Sequence, residues 1–167
     1  MKYCDHFGEL CGALEGPGAF LTVMDKRGRV NIMTIGWAQA GVIWGLPVLT
    51  VLVRPSRHTH LFLSRASHFS VYAPATGMRA KELAFCGSRS GRDYDKVRVC
   101  AFTLKEGVKK DIRYPEGPGL VYQCGLLGGT KLSAGNLPAA LRAKYYPSGD
   151  AHTMYFGKIL KADKHLK

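Results

Sequence analysis

The sequence of 167 residues lacks several motifs that mark nucleotide and metal sites in other proteins. Neither Gly-x-Gly-x-x-Gly nor Gly-x-x-x-x-Gly-Lys-Ser/Thr occurs, which argues against a Rossmann dinucleotide site and against a P-loop. The five cysteines include no Cys-x-x-Cys pair, and their spacing does not indicate a zinc site. A repeat of solenoid length is also missing. Any ligand site must therefore be built from less regular patterns.

Acidic residues are scarce in this chain. Twelve Asp and Glu stand against 24 Lys and Arg, which gives a formal net charge of +12. The positive charge is spread along the chain, without a basic tail or a run of like charges. Such a balance favours anionic partners, and three interpretations stay open: a generally basic surface, a small phosphate-bearing ligand in a basic cleft, or nucleic acid.

The sequence also lacks the marks of secretion and of membrane insertion. The first ten residues mix charges and have no long apolar stretch, and the cysteine count is odd, which together predict a reduced, cytoplasmic protein. Val30 to Val53 carries no charge and is long enough to cross a bilayer. Because this stretch contains Asn31, several glycines, Pro47 and many β-branched residues, it predicts buried strands and no membrane span.

Short apolar runs separated by turn residues recur along most of the chain. Short helices are predicted at 59–66 and 78–85, with one or two helical turns at 94–100, whereas 1–17 and 128–149 show no clear pattern. The pattern predicts a mainly β fold, an antiparallel β-barrel with a few short helices, in a single domain spanning 1–167 with its core at about 18–160. The predicted strands cover 19–24, 30–35, 42–44, 49–53, 69–73, 102–104, 120–127 and 153–160.

The main candidate for an anion site is the segment from Arg54 to Thr59, where a predicted strand ends and a helix follows. Backbone N–H groups at a helix start lack intrahelical partners and favour an anion, and Ser56 or Arg57 would lie there. Arg54 and Arg57 add guanidinium groups that match phosphate geometry, and Thr59 adds a hydroxyl. The alternative is an ordinary capped helix with two surface arginines.

Two other segments are candidates for ligand contacts. Asn31-Ile32-Met33-Thr34 can present backbone amides to a flat heterocycle, or it can be a strand edge with a satisfied Asn and Thr. The loop from Cys86 to Lys96 contains two serines, two arginines and a lysine, and resembles an anion-binding loop without being a P-loop.

Nucleophilic and metal chemistry is weakly supported by the sequence. Cys86 is either a nucleophile or a structural cysteine, and the second reading is favoured because no histidine partner is visible. His58 and His60 have a spacing that would suit metal ligands in a strand, but this segment reads as helical. His152, before the last predicted strand, is either a turn residue or a residue near a ligand.

In order and spacing, these segments resemble the flavin reductase-like family, which includes flavoredoxins and short-chain NAD(P)H:flavin oxidoreductases. The resemblance spans about residues 18–160, and the loop Ser90-Gly91-Arg92-Asp93 followed by Asp95-Lys96 brings it closest to the flavoredoxin branch. The other matching segments are Asn31–Thr34 with Trp37, Arg54–Thr59, Ser67–Val71, Cys86-Gly87, and Gly149–His152 leading into Phe156–Ile159.

The resemblance implies an FMN-binding split β-barrel of Greek-key type that works as a homodimer. It implies that the FMN phosphate is held by Arg54, Arg57 and Thr59 with Lys96, that the isoalloxazine ring lies along the strand at 31–34, and that His152 sits near the open face of the ring. The cofactor-binding residues that it implies are Asn31, Met33, Thr34, Trp37, Arg54, Ser56, Arg57, Thr59, Ser90, Gly91 and Lys96.

The activity implied by the resemblance is flavin reduction, in which NADH or NADPH gives a hydride to N5 of FMN. One alternative is a flavoredoxin-type electron carrier whose bound FMN is reduced by a protein partner. Another is a non-enzymatic module that binds a regulatory ligand or nucleic acid. Two departures bear on the reaction. Gly36 stands where many relatives have a hydroxyl residue, and Tyr72 where many have Asn, so the nicotinamide step is less well supported than phosphate binding.

Overall fold

The computed structural model describes residues 2–166, which form nine strands and five α-helices. A 3-10 turn covers Ala134–Asn136. The helices are α1 (Phe7–Glu15), α2 (His58–Leu63), α3 (Ala80–Ser88), α4 (Lys96–Val99) and α5 (Ala139–Tyr145). The strands are β1 (Ala19–Met24), β2 (Val30–Ile35), β3 (Ala38–Ile43), β4 (Leu46–Val53), β5 (His68–Pro74), β6 (Leu104–Glu106), β7 (Arg113–Pro115), β8 (Gly119–Lys131) and β9 (Thr153–His165).

Seven strands form one antiparallel sheet in the order β2-β1-β5-β8-β9-β4-β3. Strands distant in sequence are therefore neighbours, as in Greek-key arrangements. The Leu52 N–H in β4 donates to the Trp37 carbonyl just beyond β2, at 3.2 Å, so the two ends of the sheet approach each other. β6 and β7 form a second, two-stranded sheet, which is joined to β5 where Ser70 Oγ donates to the Arg113 carbonyl at 2.7 Å.

The β1–β2 hairpin shows how local chemistry sets the register of the sheet. The Asp25 carboxylate accepts hydrogen bonds from the backbone N–H groups of Arg27 and Arg29 at 2.9 and 3.0 Å, and Gly28 takes a positive φ of 79°. Ala19 consequently pairs with Ile35, and Met24 with Val30. This register places Leu21 and Met33 in the main hydrophobic core and turns Asn31 toward α2.

The uncharged stretch from Val30 to Val53 forms β2, β3 and β4. β2 and β4 are largely buried, as predicted, whereas no residue of β3 is buried. In the described part of the chain, no helix is long and apolar enough to cross a membrane. The turn between β3 and β4 consists of Trp44 and Gly45, which have φ values of 54° and 69°. Two consecutive positive φ angles are typical of a type I′ hairpin turn.

Several elements differ from the sequence-based expectation. β7 was not predicted, and β6 covers 104–106 where a strand was predicted at 102–104. The helix α1 lies in 1–17, where its glycines weaken helix propensity, and burial of Leu10 against the core compensates for them. The helix α5 lies in 128–149, although none of its residues is buried. β3 begins at Ala38 rather than at Val42, because pairing with β4 holds the weakly β-forming Ala-Gln-Ala-Gly segment in a strand.

Candidate functional site

Two of the predicted segments meet at the start of α2. The backbone N–H of Arg57 donates to the Arg54 carbonyl at 3.0 Å, which turns the chain between β4 and α2. Thr59, buried in the first turn of α2, accepts a hydrogen bond from Asn31 Nδ2 at 2.6 Å. The side chains of Asn31 and Thr59 thus satisfy each other and join β2 to α2.

A cavity of about 200 Å³ lies at this junction, and we call it the cationic cavity. Its wall includes four cationic side chains, and no Asp or Glu is among its lining residues. The lining residues are Met33, Ser56, Arg57, His58, Thr59, Ser88, Arg89, Ser90, Gly91, Arg92 and Lys96. Hydroxyl groups and backbone N–H groups beside several cations form a donor set that suits a phosphate.

Two of these cations share one backbone acceptor. Lys96 Nζ donates to the Cys86 carbonyl at 2.9 Å, and Arg57 Nη2 donates to the same oxygen at 3.3 Å. Burial, followed by the nearby charge of Arg57, lowers the pKa of Lys96 to about 8, and burial also lowers the pKa of Arg57. An ammonium group has three N–H donors, so the single bond to Cys86 leaves Lys96 able to bind an anion.

The loop at 88–92 is fitted closely against the cavity. The Arg92 N–H donates to Ser90 Oγ at 3.1 Å, and Arg92 Nη1 donates to the Ser56 carbonyl at 3.1 Å. A Cβ atom at Gly91 would lie well inside contact distance of Asn31 Oδ1 and 3.1 Å from His58. Position 91 therefore requires glycine if the loop is to keep this distance from β2.

A second cavity, of about 220 Å³, shares Met33 and Arg57 with the first. We call it the aromatic cavity because Trp37 and His152 form part of its wall. Its lining residues are Met33, Thr34, Ile35, Gly36, Trp37, Leu52, Arg54, Arg57 and His152. Met33 of β2 thus borders both cavities, whereas residues 34–37 border the aromatic cavity alone.

His152 is held on two sides at the edge of the aromatic cavity. The indole of Trp37 lies 4.7 Å from the imidazole centroid, and Tyr146 Oη lies 2.8 Å from His152 Nδ1. Burial, and then the charge of Arg54, lower the pKa of His152 to about 4, while Asp150 acts in the opposite direction. The imidazole is therefore neutral at physiological pH.

Arg54 lines the aromatic cavity and is not among the residues that line the cationic cavity. Its contact with the FMN phosphate stays a prediction. Its guanidinium donates to the carbonyls of Asp150 and Tyr145, at 2.7 and 2.8 Å, and stacks over the ring of Tyr146. The sequence segment 54–59 gave no sign of this, because the acceptors lie more than 90 residues away in the chain.

Six of the other predicted residues line the cationic cavity: Ser56, Arg57, Thr59, Ser90, Gly91 and Lys96. Thr34 and Trp37 line the aromatic cavity, and Met33 lines both. Thr34 Oγ1 donates to the Leu83 carbonyl of α3 at 2.6 Å, so its hydroxyl group is already engaged. Asn31 lies behind the cationic cavity, where it contacts Thr59.

The residues of this region that sequence reasoning did not assign to the site include Arg89, Arg92, Tyr145 and Tyr146. The two arginines line the cationic cavity, and their position in the Ser-Arg-Ser-Gly-Arg loop was a usable signal. Tyr145 packs edge-on against Trp37 with ring centroids 5.1 Å apart. Tyr145 and Tyr146 end α5, which was itself not predicted, so no sequence signal placed them near the site.

Cys86, His60 and His68 have structural environments and no sign of chemistry. Burial raises the pKa of the Cys86 thiol to about 12, which makes it a poor nucleophile. His60 Nε2 lies 3.2 Å from Thr153 Oγ1, and His68 Nδ1 lies 2.8 Å from Asp111 Oδ2. Among residues 2–166, no three His, Cys, Asp or Glu side chains are grouped so as to hold a metal ion.

Comparison with known families identifies the architecture around these cavities. A model of the family described as flavin reductase like domain matches residues 11–166. The chain belongs to this family. The mainly β fold, predicted as an FMN-binding split β-barrel, is confirmed by its structural neighbours. No curated protein sequence matches the chain significantly.

Three solved structures illustrate the likeness. The flavoredoxin of Methanosarcina acetivorans is 25% identical, with 88% of this chain and 67% of that chain covered and a TM-score of 0.67. An FMN-binding protein from Thermus thermophilus is 24% identical over 88% and 70% of the two chains, also with a TM-score of 0.67. An NADH:FAD oxidoreductase from Streptomyces globisporus is 16% identical over 88% and 73–74%, with TM-scores of 0.62–0.64 in two structures.

Proposed function

We propose that this chain is an FMN-binding flavoprotein that acts as a flavin reductase, with NADH or NADPH as the hydride donor. The observation that carries the proposal is the pairing of the two cavities. One cavity is cationic and rich in donors, the other has an aromatic wall, and Met33 and Arg57 border both. FMN combines the same two features, a phosphate and a flat heterocycle.

The donor set of the cationic cavity fits a phosphate. Arg57 and Lys96 supply positive charge, Ser90 supplies a hydroxyl group, and Gly91 lets the loop backbone approach β2. The Ser56 hydroxyl is engaged by the Asp150 carboxylate. Arg89 and Arg92, which sequence reasoning had not included, add charge at the rim. We replace Arg54 by Arg57 as the main guanidinium at the phosphate, because Arg54 is bonded to backbone carbonyls.

The residues of the aromatic cavity would orient the ring and exclude water from one side of it. FMN, when bound, supplies a ring that takes up a hydride and passes electrons on. Met33 and Leu52 provide apolar surface, and Trp37 and His152 border the site from outside the strand. Because His152 is neutral, it adds no charge beside the ring at physiological pH. Hydride transfer itself requires no acid–base residue of the protein.

An FMN titration tests the proposal. The purified protein is titrated with FMN and with riboflavin, which lacks the phosphate, and flavin fluorescence reports binding. Arg57→Gln should weaken FMN about 10- to 100-fold, since a hydrogen bond to a charged group contributes about 1.5–3 kcal/mol, and should leave riboflavin nearly unchanged. Arg98→Gln is the matched control, because Arg98 is exposed on α4 and lines neither cavity.

Failure of the wild-type protein to bind FMN at high micromolar concentration would contradict the proposal. In that case the alternative of a non-enzymatic module is tested next, by salt-dependent binding to DNA or RNA. Equal losses of FMN and riboflavin in Arg57→Gln would contradict the phosphate assignment alone.

A flavoredoxin-type electron carrier is the second candidate, favoured by the likeness to the Methanosarcina flavoredoxin. In this case the protein would bind FMN tightly and receive electrons from a protein partner. Stopped-flow measurement of flavin bleaching separates the two. Rapid bleaching by NADH or NADPH supports the reductase, whereas bleaching only by a reduced ferredoxin-like protein supports the carrier.

We also propose a homodimer and a cytoplasmic location. Val42 and Trp44 of the β3–β4 hairpin are 67% and 68% exposed, and such large apolar side chains are suited to contact a second copy. All five cysteines are free thiols, which suits a reducing compartment.

A further inference from the structure

Arg54 and Ser56, which follow β4, both form hydrogen bonds to the segment from Tyr145 to His152. Arg54 Nη1 donates to the Asp150 carbonyl at 2.7 Å, and Nη2 donates to the Tyr145 carbonyl at 2.8 Å. Ser56 Oγ donates to the Asp150 carboxylate at 2.5 Å. Since the guanidinium is a rigid planar fork, its two bonds fix the positions of two carbonyls that are five residues apart.

Arg54 also acts on the phenol that contacts His152. The guanidinium carbon lies 5.1 Å from the centroid of the Tyr146 ring, and Tyr146 Oη lies 2.8 Å from His152 Nδ1. Both Tyr146 and His152 are buried. A cation over the ring withdraws electron density from the phenol, which strengthens its O–H as a donor. When the Tyr146 hydroxyl donates to Nδ1, the imidazole carries its proton on Nε2.

We propose that Arg54 and Tyr146 are positioning residues that hold His152 as one neutral tautomer, with Nε2–H as the donor offered to acceptor atoms of the flavin ring. The inference rests on the proposed function for its ligand, but the tautomer is a property of the protein alone. Trp37, 4.7 Å from the imidazole, restricts the tilt of the ring from the opposite side.

The charged groups around His152 act in opposite directions. Burial of the ring disfavours an imidazolium most, and the charge of Arg54 does so next. Arg57 lines the same cavity. Asp150 favours the imidazolium, but its carboxylate is bonded to Ser56 Oγ. The phenol of Tyr146 is neutral, and burial raises its pKa. The positive groups and burial prevail, so His152 stays a neutral donor.

Nuclear magnetic resonance of the ring nitrogens tests this arrangement without any ligand. The ¹⁵N shifts of His152 are followed from pH 4 to pH 8 in the ¹⁵N-labelled protein, and His152→Gln identifies the signals. We expect a protonated Nε2 and an unprotonated Nδ1 in the wild type between pH 5.5 and pH 8. Tyr146→Phe keeps the ring and its packing but should give a mixture of tautomers.

Arg54→Gln should raise the His152 pKa by about one unit, because a like charge is removed. Arg142→Gln, on the exposed face of α5, is the matched control and should leave the pKa unchanged. Arg54→Lys separates charge from geometry. This variant should keep the pKa of His152 low but increase the mobility of the segment from Tyr145 to His152. The mobility is detected as broadened His152 signals.

A titration with FMN and riboflavin then connects the tautomer to the ligand. Tyr146→Phe should weaken the binding of both flavins by a similar factor of about 3 to 10, which corresponds to one hydrogen bond. The factor is similar because the lost hydrogen bond is to the flavin ring and not to the phosphate. If wild-type protein shows the expected tautomer but binds no flavin, the proposed function fails while the arrangement of His152 stands. A wild-type proton on Nδ1, or an unchanged pKa in Arg54→Gln, would overturn the inference.

Discussion

Lys96 is a buried cation whose charge depends on pH within the range of ordinary buffers. Its pKa is lowered from 10.5 to about 8, so the free protein loses this charge as the pH rises through about 8. FMN affinity should therefore be full at pH 7 and fall above pH 8, by at most about tenfold per pH unit. Calorimetry at pH 7, 8 and 9 measures the effect.

Lys96→Met is the control for this pH dependence. The variant should bind FMN more weakly than wild type at pH 7, and its affinity should be flat between pH 7 and 9. Riboflavin affinity should be flat in both proteins over the same range. A wild-type FMN affinity that does not change up to pH 9 would show that Lys96 does not contact the phosphate.

Gly91 offers a second prediction at the scale of one residue. A methyl group at this position would collide with Asn31 Oδ1, and the neighbouring His58 ring is only 3.1 Å away. Gly91→Ala should push the loop off β2, lower the free energy of unfolding by about 1–3 kcal/mol, and weaken FMN binding. Gly41→Ala, in β3, is the control, because nothing lies within 4 Å of its added Cβ atom. Equal stability of the two variants in urea would refute the close fit.

Which residues of the site are predictable from sequence depends on whether their contacts are local. The segments 54–59 and 86–96 are compact, and their residue types made them candidates for an anion site, which stays a prediction. Residues of both segments line one cavity. The hydrogen bonds of Arg54 were not predictable, because its acceptors belong to Tyr145 and Asp150, which only the tertiary fold brings near. The sequence around an arginine at the end of a strand does not show which distant carbonyls will accept its hydrogen bonds.

At the scale of elements, strands with β-branched residues were predictable and helices without a buried face were not. The segment 139–145 has good helix formers after Pro138. The glycines and prolines on both sides of it favoured a loop, so no helix was predicted there. The helix α1 contains Gly8 and Gly12, and only the burial of Leu10 reveals why it forms. The helix α1 therefore depends on tertiary packing, whereas α5, which has no buried residue, depends on the helix propensity of its residues.

The β3–β4 hairpin contains a residue that is unfavourable for its conformation. Trp44 has a φ of 54°, which costs a residue other than glycine or Asn about 1 kcal/mol. Its ring packs edge-on against Phe156 at 5.5 Å and is otherwise exposed. Trp44→Asn and Trp44→Ala both remove this packing, so Asn should be more stable than Ala by about 0.5–1 kcal/mol, because Asn tolerates the left-handed region. Urea denaturation of the two variants measures the difference.

The same pair of variants tests the proposed dimer. If Trp44 contacts a second copy, both substitutions should shift the protein toward monomer in analytical ultracentrifugation, whatever their effect on stability. Leu61→Asn is a comparable change of an exposed apolar residue, 43% exposed on α2, away from the hairpin. A shift caused equally by Leu61→Asn would show that Trp44 has no special part in association.

At the scale of the whole molecule, the charge of +12 should act on the rate of cofactor capture. An anionic ligand is drawn toward a basic protein, and salt screens this attraction over about 10 Å at 0.1 M. The association rate of FMN should therefore fall several-fold between about 0.02 and 0.5 M NaCl, whereas that of riboflavin should hardly change. Stopped-flow fluorescence gives both rates.

The dissociation rate separates this general field from the contacts of the cavity. Arg98→Gln lowers the net charge by one without touching either cavity, so it should slow FMN association slightly and leave dissociation unchanged. Arg57→Gln removes the same charge inside the cavity and should mainly speed dissociation. If both variants changed only the association rate, the phosphate would be held by the diffuse charge of the surface, and the cationic cavity would not be its binding site.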